Sequence, residues 1–108
     1  MPRLTQDQIT SRLAALPGWA VRDGLLTKTF NVRSFAHGVL FVAAIGQFAE
    51  AANHHPDLSL HGYSHVTVQL STHSEGGLTE KDFDLAAQID KFDIVPELDL
   101  ATWRIRLS

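Results

Sequence analysis

From Val66 to Ser71, apolar Val66, Val68 and Leu70 alternate with polar Thr67, Gln69 and Ser71, the period of an antiparallel strand with one buried face. Elsewhere the apolar positions recur at helical spacing. Ile9, Leu13 and Leu16 follow Thr5 and Gln8, a capping-box pair, and Pro17-Gly18 stops this first helix. Behind Ser34, a suitable N-cap, Phe35, Val39, Val42, Ile45 and Phe48 form the wide apolar face of a long second helix. Pro56 dictates where that helix ends, because proline disfavours helical geometry at His55, so the last full turn is expected to hold Glu50, Asn53 and His54. A third helix opens at Thr79-Glu80-Lys81-Asp82, again a capping box, with Leu78 placed to staple onto Phe83 and with Leu85, Ile89 and Phe92 as its buried stripe. Two short strands, Trp19 to Val21 and Leu25 to Phe30, flank the tight-turn signal Asp23-Gly24, and Leu58 to Leu60 can pair with the strand at Val66. The order α-β-β-α-β-β-α predicts an α+β fold: a four-stranded antiparallel sheet with helices packed on one face. Trp103, Ile105 and Leu107 alternate with Arg104 and Arg106 in the tail, which adds a possible C-terminal strand.

Composition narrows the picture. The chain has 108 residues, 44% of them hydrophobic, which suits one domain (1–108) with one core. Cysteine is absent, which excludes disulfides, thiolate nucleophiles and thiolate metal sites. The net charge is −3 and no basic cluster occurs, so direct nucleic-acid contact is not expected. No apolar run is read here as reaching the roughly 18 to 20 residues of a membrane span, and the start of the chain lacks a secretory pattern. The expected setting is the cytoplasm, without membrane attachment.

Five of the six histidines lie between Glu50 and His73, and there the chemistry concentrates. If the helix continues to His54, then Glu50, Asn53 and His54 share a face, and the carboxylate can orient the imidazole one turn away. His55 and Asp57 flank Pro56 outside the helix and would line the rim, while His73 follows the strand on the side away from its apolar residues. Should the end of the helix and the end of the strand converge, His54, His55 and His73 surround one pocket. Plainer roles compete: a histidine at a helix end is commonly a surface cap, Asp82 has a structural role as the acid of its capping box, and Trp19 after Pro-Gly is more often a core anchor than a ligand platform. His37, His61 and His65 read as residues without a site role. A metal site is the rival chemistry, but His54 and His55 diverge across a helix end and the one H-x-x-x-H, His61 to His65, falls on the expected hairpin rather than on a helix, so metal-free acid–base catalysis fits better.

The run Glu50, three residues, His54-His55-Pro56, six residues, Tyr63, nine residues, His73, eight residues, Asp82 closely resembles the signature of the pterin-4a-carbinolamine dehydratases. Leu16-Pro17-Gly18-Trp19 and LSTHSEGGLTEKDFDLA resemble that family's flanking segments, and the likeness covers about Leu13 to Asp90. The resemblance implies the same α+β fold, the dehydration of 4a-hydroxytetrahydropterin to quinonoid dihydropterin and water, and no cofactor or metal. It implies His54 and His73 as the acid–base pair, His55 as a substrate-holding residue, Glu50 orienting His54, and Asp82 supporting His73. Trp19, Asn53, Pro56, Ser71 and Thr72 would contact substrate. A homodimer or homotetramer is implied, as is a second possibility, that the fold serves as a non-catalytic binding partner, assembly factor or transcription cofactor. The chain departs from the pattern in three places. Asn53 stands where some members carry aspartate, the Pro56-to-Tyr63 gap is one residue longer than in many members, with Gly62 near the turn or absorbing the extra residue as a bulge, and the C-terminal extension is long.

Overall fold

A computed structural model describes residues 2–92. In chain order the elements are α1 (Gln6–Leu13), β1 (Ala20–Arg22), β2 (Leu25–Asn31), α2 (Phe35–Ala52), β3 (Asp57–His61), β4 (His65–Leu70) and α3 (Glu80–Lys91), with a 3-10 turn at His73–Glu75. The expected C-terminal strand at Trp103, Ile105 and Leu107 lies outside the described residues. The strands form one antiparallel sheet in the order β1-β2-β4-β3.

Local chemistry explains most boundaries. Both capping boxes form: Thr5 and Gln8 satisfy each other's backbone amides at the start of α1, and Thr79 and Asp82 do so at α3. The β1–β2 hairpin turns on Asp23 and Gly24, both at positive φ (52° and 78°), the geometry whose twist matches its flanking strands. The extra residue near Gly62 is taken up in the three-residue turn Gly62–Tyr63–Ser64 rather than in a bulge, and Gly62 and Tyr63 both have positive φ. Pairing of β3 with β4 therefore runs without a slip, Leu58 opposite Val68 and Leu60 opposite Val66.

Residues opposite one another in antiparallel strands share a face. Leu26, Phe30, Leu58, Leu60, Val66, Val68 and Leu70 thus point to one side, where they meet Phe41 and Ile45 of α2 and Leu85, Ala86 and Ile89 of α3. The other side is polar. There His61 bonds the Thr67 hydroxyl and His65 bonds Asn31, both at 2.7 Å.

Helix α2 corrects one sequence expectation. Its 18 residues, with a mean hydropathy of 1.4, are long and apolar enough to cross a membrane by length and composition. In the fold one row of it, Gly38, Phe41, Ile45 and Ala49, is buried against the sheet and α3, while the other faces are half-buried or exposed. Gly38 permits the close approach: a Cβ there would stand 2.6 Å from Leu60 Cδ1 and 3.3 Å from Val32 Cγ2. Alanine normally improves a helix interior over glycine by about 1 kcal/mol. Here Gly38→Ala is expected to reverse that sign, because overpacking of about 1–3 kcal/mol outweighs the gain, and a lowered thermal midpoint is the measurement.

Candidate active site

Helix α2 stops at Ala52, two residues earlier than Pro56 alone suggests. Asn53 takes the left-handed conformation (φ 50°, ψ 45°), its N–H donates to Glu50 O, and the His54 N–H donates to Ala49 O. This pair of reversed bonds is a Schellman ending, and asparagine tolerates its left-handed position better than most residues. The reversal turns His54 out of the helical register and inward, leaving it only 9% exposed. His55 follows at the surface, and Pro56 then leads into β3.

The other wall comes from the end of β4. Thr72 and Gly77 close a short loop through a backbone bond of 3.1 Å, and the 3-10 turn inside it carries His73. Beyond the loop, the first turn of α3 presents Asp82, which is fully buried.

Asp82 is the hub. Its Oδ1 lies 2.6 Å from His54 Nε2, and its Oδ2 accepts from the Thr72 hydroxyl (2.8 Å) and the Thr79 N–H (3.0 Å). With the Thr72 proton committed to Asp82, the Thr79 hydroxyl donates to Thr72 Oγ1 at 2.9 Å. A carboxylate only accepts, so His54 donates through Nε2–H, and Nδ1 is the nitrogen left for the cleft. At the rim, Glu50 Oε1 lies 3.1 Å from His55 Nε2, with both side chains more than half exposed. Such a pair steers a side chain but adds little stability.

The three imidazoles and Asn53 surround a cleft of about 260 Å³, completed by Ser71, Thr72, Ser74 and Lys81. Its lining is polar, with the ammonium of Lys81 as its one permanent charge and the carboxylates set behind the imidazoles. Space of this size suits a small flat ring system better than an extended cofactor. Several imidazoles with different surroundings can give a proton to one atom of a bound ring and take one from another. Among the described residues, no three His, Asp or Glu side chains come together as a metal-binding group.

Residues 2–92 match the family model described as pterin 4 alpha carbinolamine dehydratase. The chain belongs to that family. A Chloroflexus aurantiacus protein, named as a candidate pterin-4-alpha-carbinolamine dehydratase, is 44% identical over 91 residues, which cover 84% of this chain and 97% of the relative. A Sulfolobus acidocaldarius protein with the same name is 45% identical over 89 residues, covering 82% of this chain and 97% of the relative. Among solved structures, a transcriptional coactivator/pterin dehydratase from Brucella melitensis superposes with a TM-score of 0.76 at 36% identity, covering 82% of this chain and 95% of that one. A pterin dehydratase-like protein described as a RuBisCO assembly factor in the alpha-carboxysome superposes with a TM-score of 0.53 at 25% identity, covering 67% of this chain and 82% of that one.

In this carbinolamine dehydratase fold, six of the expected residues line the cleft: His54, His55, His73, Asn53, Ser71 and Thr72. Two expected pairings are corrected, and Trp19 and Pro56 lie outside the lining of this cleft. Glu50 pairs with His55 rather than His54, because the left-handed residue at Asn53 takes His54 off the face that Glu50 occupies. Asp82 holds His54 rather than His73. Trp19 is a core anchor, 6% exposed, packed edge-to-face on Phe30 and donating from Nε1 to Asp90 Oδ2 at 3.0 Å. The same carboxylate accepts from Lys28, which ties the strand entry to the end of α3. Pro56 lies outside the lining and acts through the chain direction it imposes. Lys81 and Ser74 were missed. Their signal was adjacency: Lys81 precedes Asp82 on the same first turn of α3, and Ser74 follows His73.

Proposed function

We propose that this protein dehydrates 4a-hydroxytetrahydropterin to quinonoid dihydropterin and water. The observation that carries the reading is the convergence of His54, His55 and His73 on one cleft, with His54 clamped from behind by the buried Asp82, in a chain of this family. The carbon 4a–oxygen bond breaks as an acid protonates the departing hydroxyl, and a ring nitrogen loses a proton as its electron pair forms the new double bond. One proton is given and one is taken, so the reaction needs no redox partner. His54 and His73 form the acid–base pair, His55 holds the ring, and backbone groups at Ser71 and Thr72 meet its polar edge. The test follows the decay of freshly prepared 4a-hydroxytetrahydropterin with and without protein across pH. A bell-shaped acceleration supports a paired acid and base, whereas an unchanged decay removes the reading. Return of pterin to an aromatic amino-acid hydroxylase, in the cytoplasm, is the corresponding physiological proposal.

A binding role has an observation of its own. The outer row of α2, Phe35, Val39, Ala43 and Gln47, carries no charge, and Phe35 and Val39 are about half exposed. The solved relatives include proteins described as a coactivator and as an assembly factor. We infer that this face joins copies of the chain into a dimer or tetramer. Val39→Asp is expected to reduce the mass in light scattering to that of one chain; a wild-type protein already monomeric at tens of micromolar would sink the inference.

A further inference from the structure

Among the described residues, one edge of the sheet is open at β1, a strand of only three residues. Its hairpin closes through the two-residue turn Asp23-Gly24, so Arg22 and Leu25 form the hydrogen-bonded pair beside the turn. Bonded and non-bonded pairs alternate along an antiparallel ladder, which makes Val21 and Leu26 the next, non-bonded pair. The Val21 N–H and C=O therefore point away from β2, toward the open edge. Its side chain shares the apolar side of the sheet with Leu26, yet it is 37% exposed where Leu26 is fully buried. An uncovered apolar side chain beside outward-facing backbone groups is a template for another strand. We propose that residues 103–107 of this chain add a fifth strand to the β1 edge.

Three observations choose this occupant. Trp103, Ile105 and Leu107 alternate with Arg104 and Arg106, so one face of such a strand is apolar, as Val21 requires, and the other is basic. The chain also leaves α3 on the correct side. Asp90, in the last turn of α3, accepts from Trp19 Nε1 and from Lys28 Nζ, which fastens the end of that helix to the chain entering β1. The other edge, β3, lies at the far side of the sheet. Ten residues, 93–102, separate Phe92 from Trp103, and at about 3.3 Å each they reach up to roughly 33 Å, enough to approach β1 in either direction. Lastly, the family match ends at residue 92, and the Chloroflexus aurantiacus relative is 97% covered without the segment, which is thus an addition to the shared fold.

The addition caps the sheet rather than passing an open edge on. Arg104 and Arg106 would charge the new outer strand, and charge is one of the means by which edge strands avoid pairing with further copies. The pairing concerns the sheet alone and does not depend on the dehydratase reading.

Because the chain has no cysteine, the pairing can be tested at full length by engineered cross-links. Val21→Cys is combined in turn with Trp103→Cys, Arg104→Cys, Ile105→Cys, Arg106→Cys and Leu107→Cys, and mild oxidation is followed by non-reducing electrophoresis. An intrachain disulfide is expected from one of the three apolar-face positions about tenfold faster than from either arginine position, because side chains on the opposite face of a strand stand beyond bonding reach. Equal rates on both faces, or no link at all, would overturn the proposal. Links formed only between chains would overturn it too, since the edge would then join copies. The second measurement is amide exchange of Val21 by NMR. Ile105→Asp is expected to speed it about tenfold, the worth of about one hydrogen bond, while Arg104→Ser leaves it unchanged. Leu26, whose amide faces β4, reports any global loss of stability. A Val21 amide that exchanges equally fast in wild type and Ile105→Asp would refute the added strand.

Discussion

Replacing Asp82 with alanine is expected to destabilise the fold by about 3–5 kcal/mol, because three buried donors lose their acceptor together and each stranded donor costs about 1–3 kcal/mol. The loss is a large share of the roughly 5–15 kcal/mol that holds an ordinary domain together. Three donors would be stranded in the interior: the Thr72 hydroxyl, the Thr79 N–H and the His54 Nε2–H. The N-terminus of α3 would lose half of its capping box at the same time. Urea denaturation measures the effect, and a shift under 1 kcal/mol would contradict the hub role.

Asp82→Asn separates stability from positioning. Two donors converge on Oδ2 and one on Oδ1, so the amide oxygen should take the Oδ2 place and its NH2 should face His54. His54 Nε2 would then have to accept, which moves its hydrogen to Nδ1, the nitrogen facing the cleft. The fold is expected to survive with a loss of about 1–3 kcal/mol. Catalysis is expected to fall by about 100-fold or more, because the reacting nitrogen then presents the wrong tautomer. Nitrogen NMR of the imidazole reads the tautomer directly. An Asp82→Asn protein with full kcat would remove Asp82 as a positioning residue.

The second large effect is expected from His54→Ala combined with His73→Ala. Each acid or base is worth about 100- to 10,000-fold in a proton-transfer step, so the double variant should decay 4a-hydroxytetrahydropterin near the uncatalysed rate. His73 is the cleaner probe because it is exposed, and its loss should leave folding almost unchanged. His54→Ala removes a nearly buried ring and leaves Asp82 without one partner, so part of its effect will appear in stability. His55→Ala should chiefly raise KM, in keeping with a rim position. Full activity in the double variant would require a different chemistry in the cleft.

The features read correctly from the residues alone share one property: their causes lie within a few positions along the chain. The alternation of Val66, Val68 and Leu70, the two capping boxes and the Asp23-Gly24 turn each depend on neighbours at most four residues away. The histidine cluster was legible for the same reason, since a helix end, a proline and a strand end confine where His54, His55 and His73 can go. Of the two places open to Gly62, the turn rather than a bulge is the one taken, because a turn with two left-handed residues absorbs an extra position with less disturbance than a paired strand does.

The pairings within the site were a different matter. A helical ladder from Glu50 to His54 is the obvious reading of that spacing, and one left-handed residue at Asn53 defeats it. The bonds that replace it join His54 to a carboxylate 28 positions away, and Trp19 to one 71 positions away. Sequence by itself determined the elements, the buried face of the sheet and the group of residues from which a site could be drawn. Tertiary structure decided which carboxylate serves which histidine, that Trp19 belongs to the core, and that Lys81 lines the cleft. The division is physical: backbone propensity and capping act over one turn, whereas the partner of a buried polar group is set by whichever distant segment packing brings within hydrogen-bond reach.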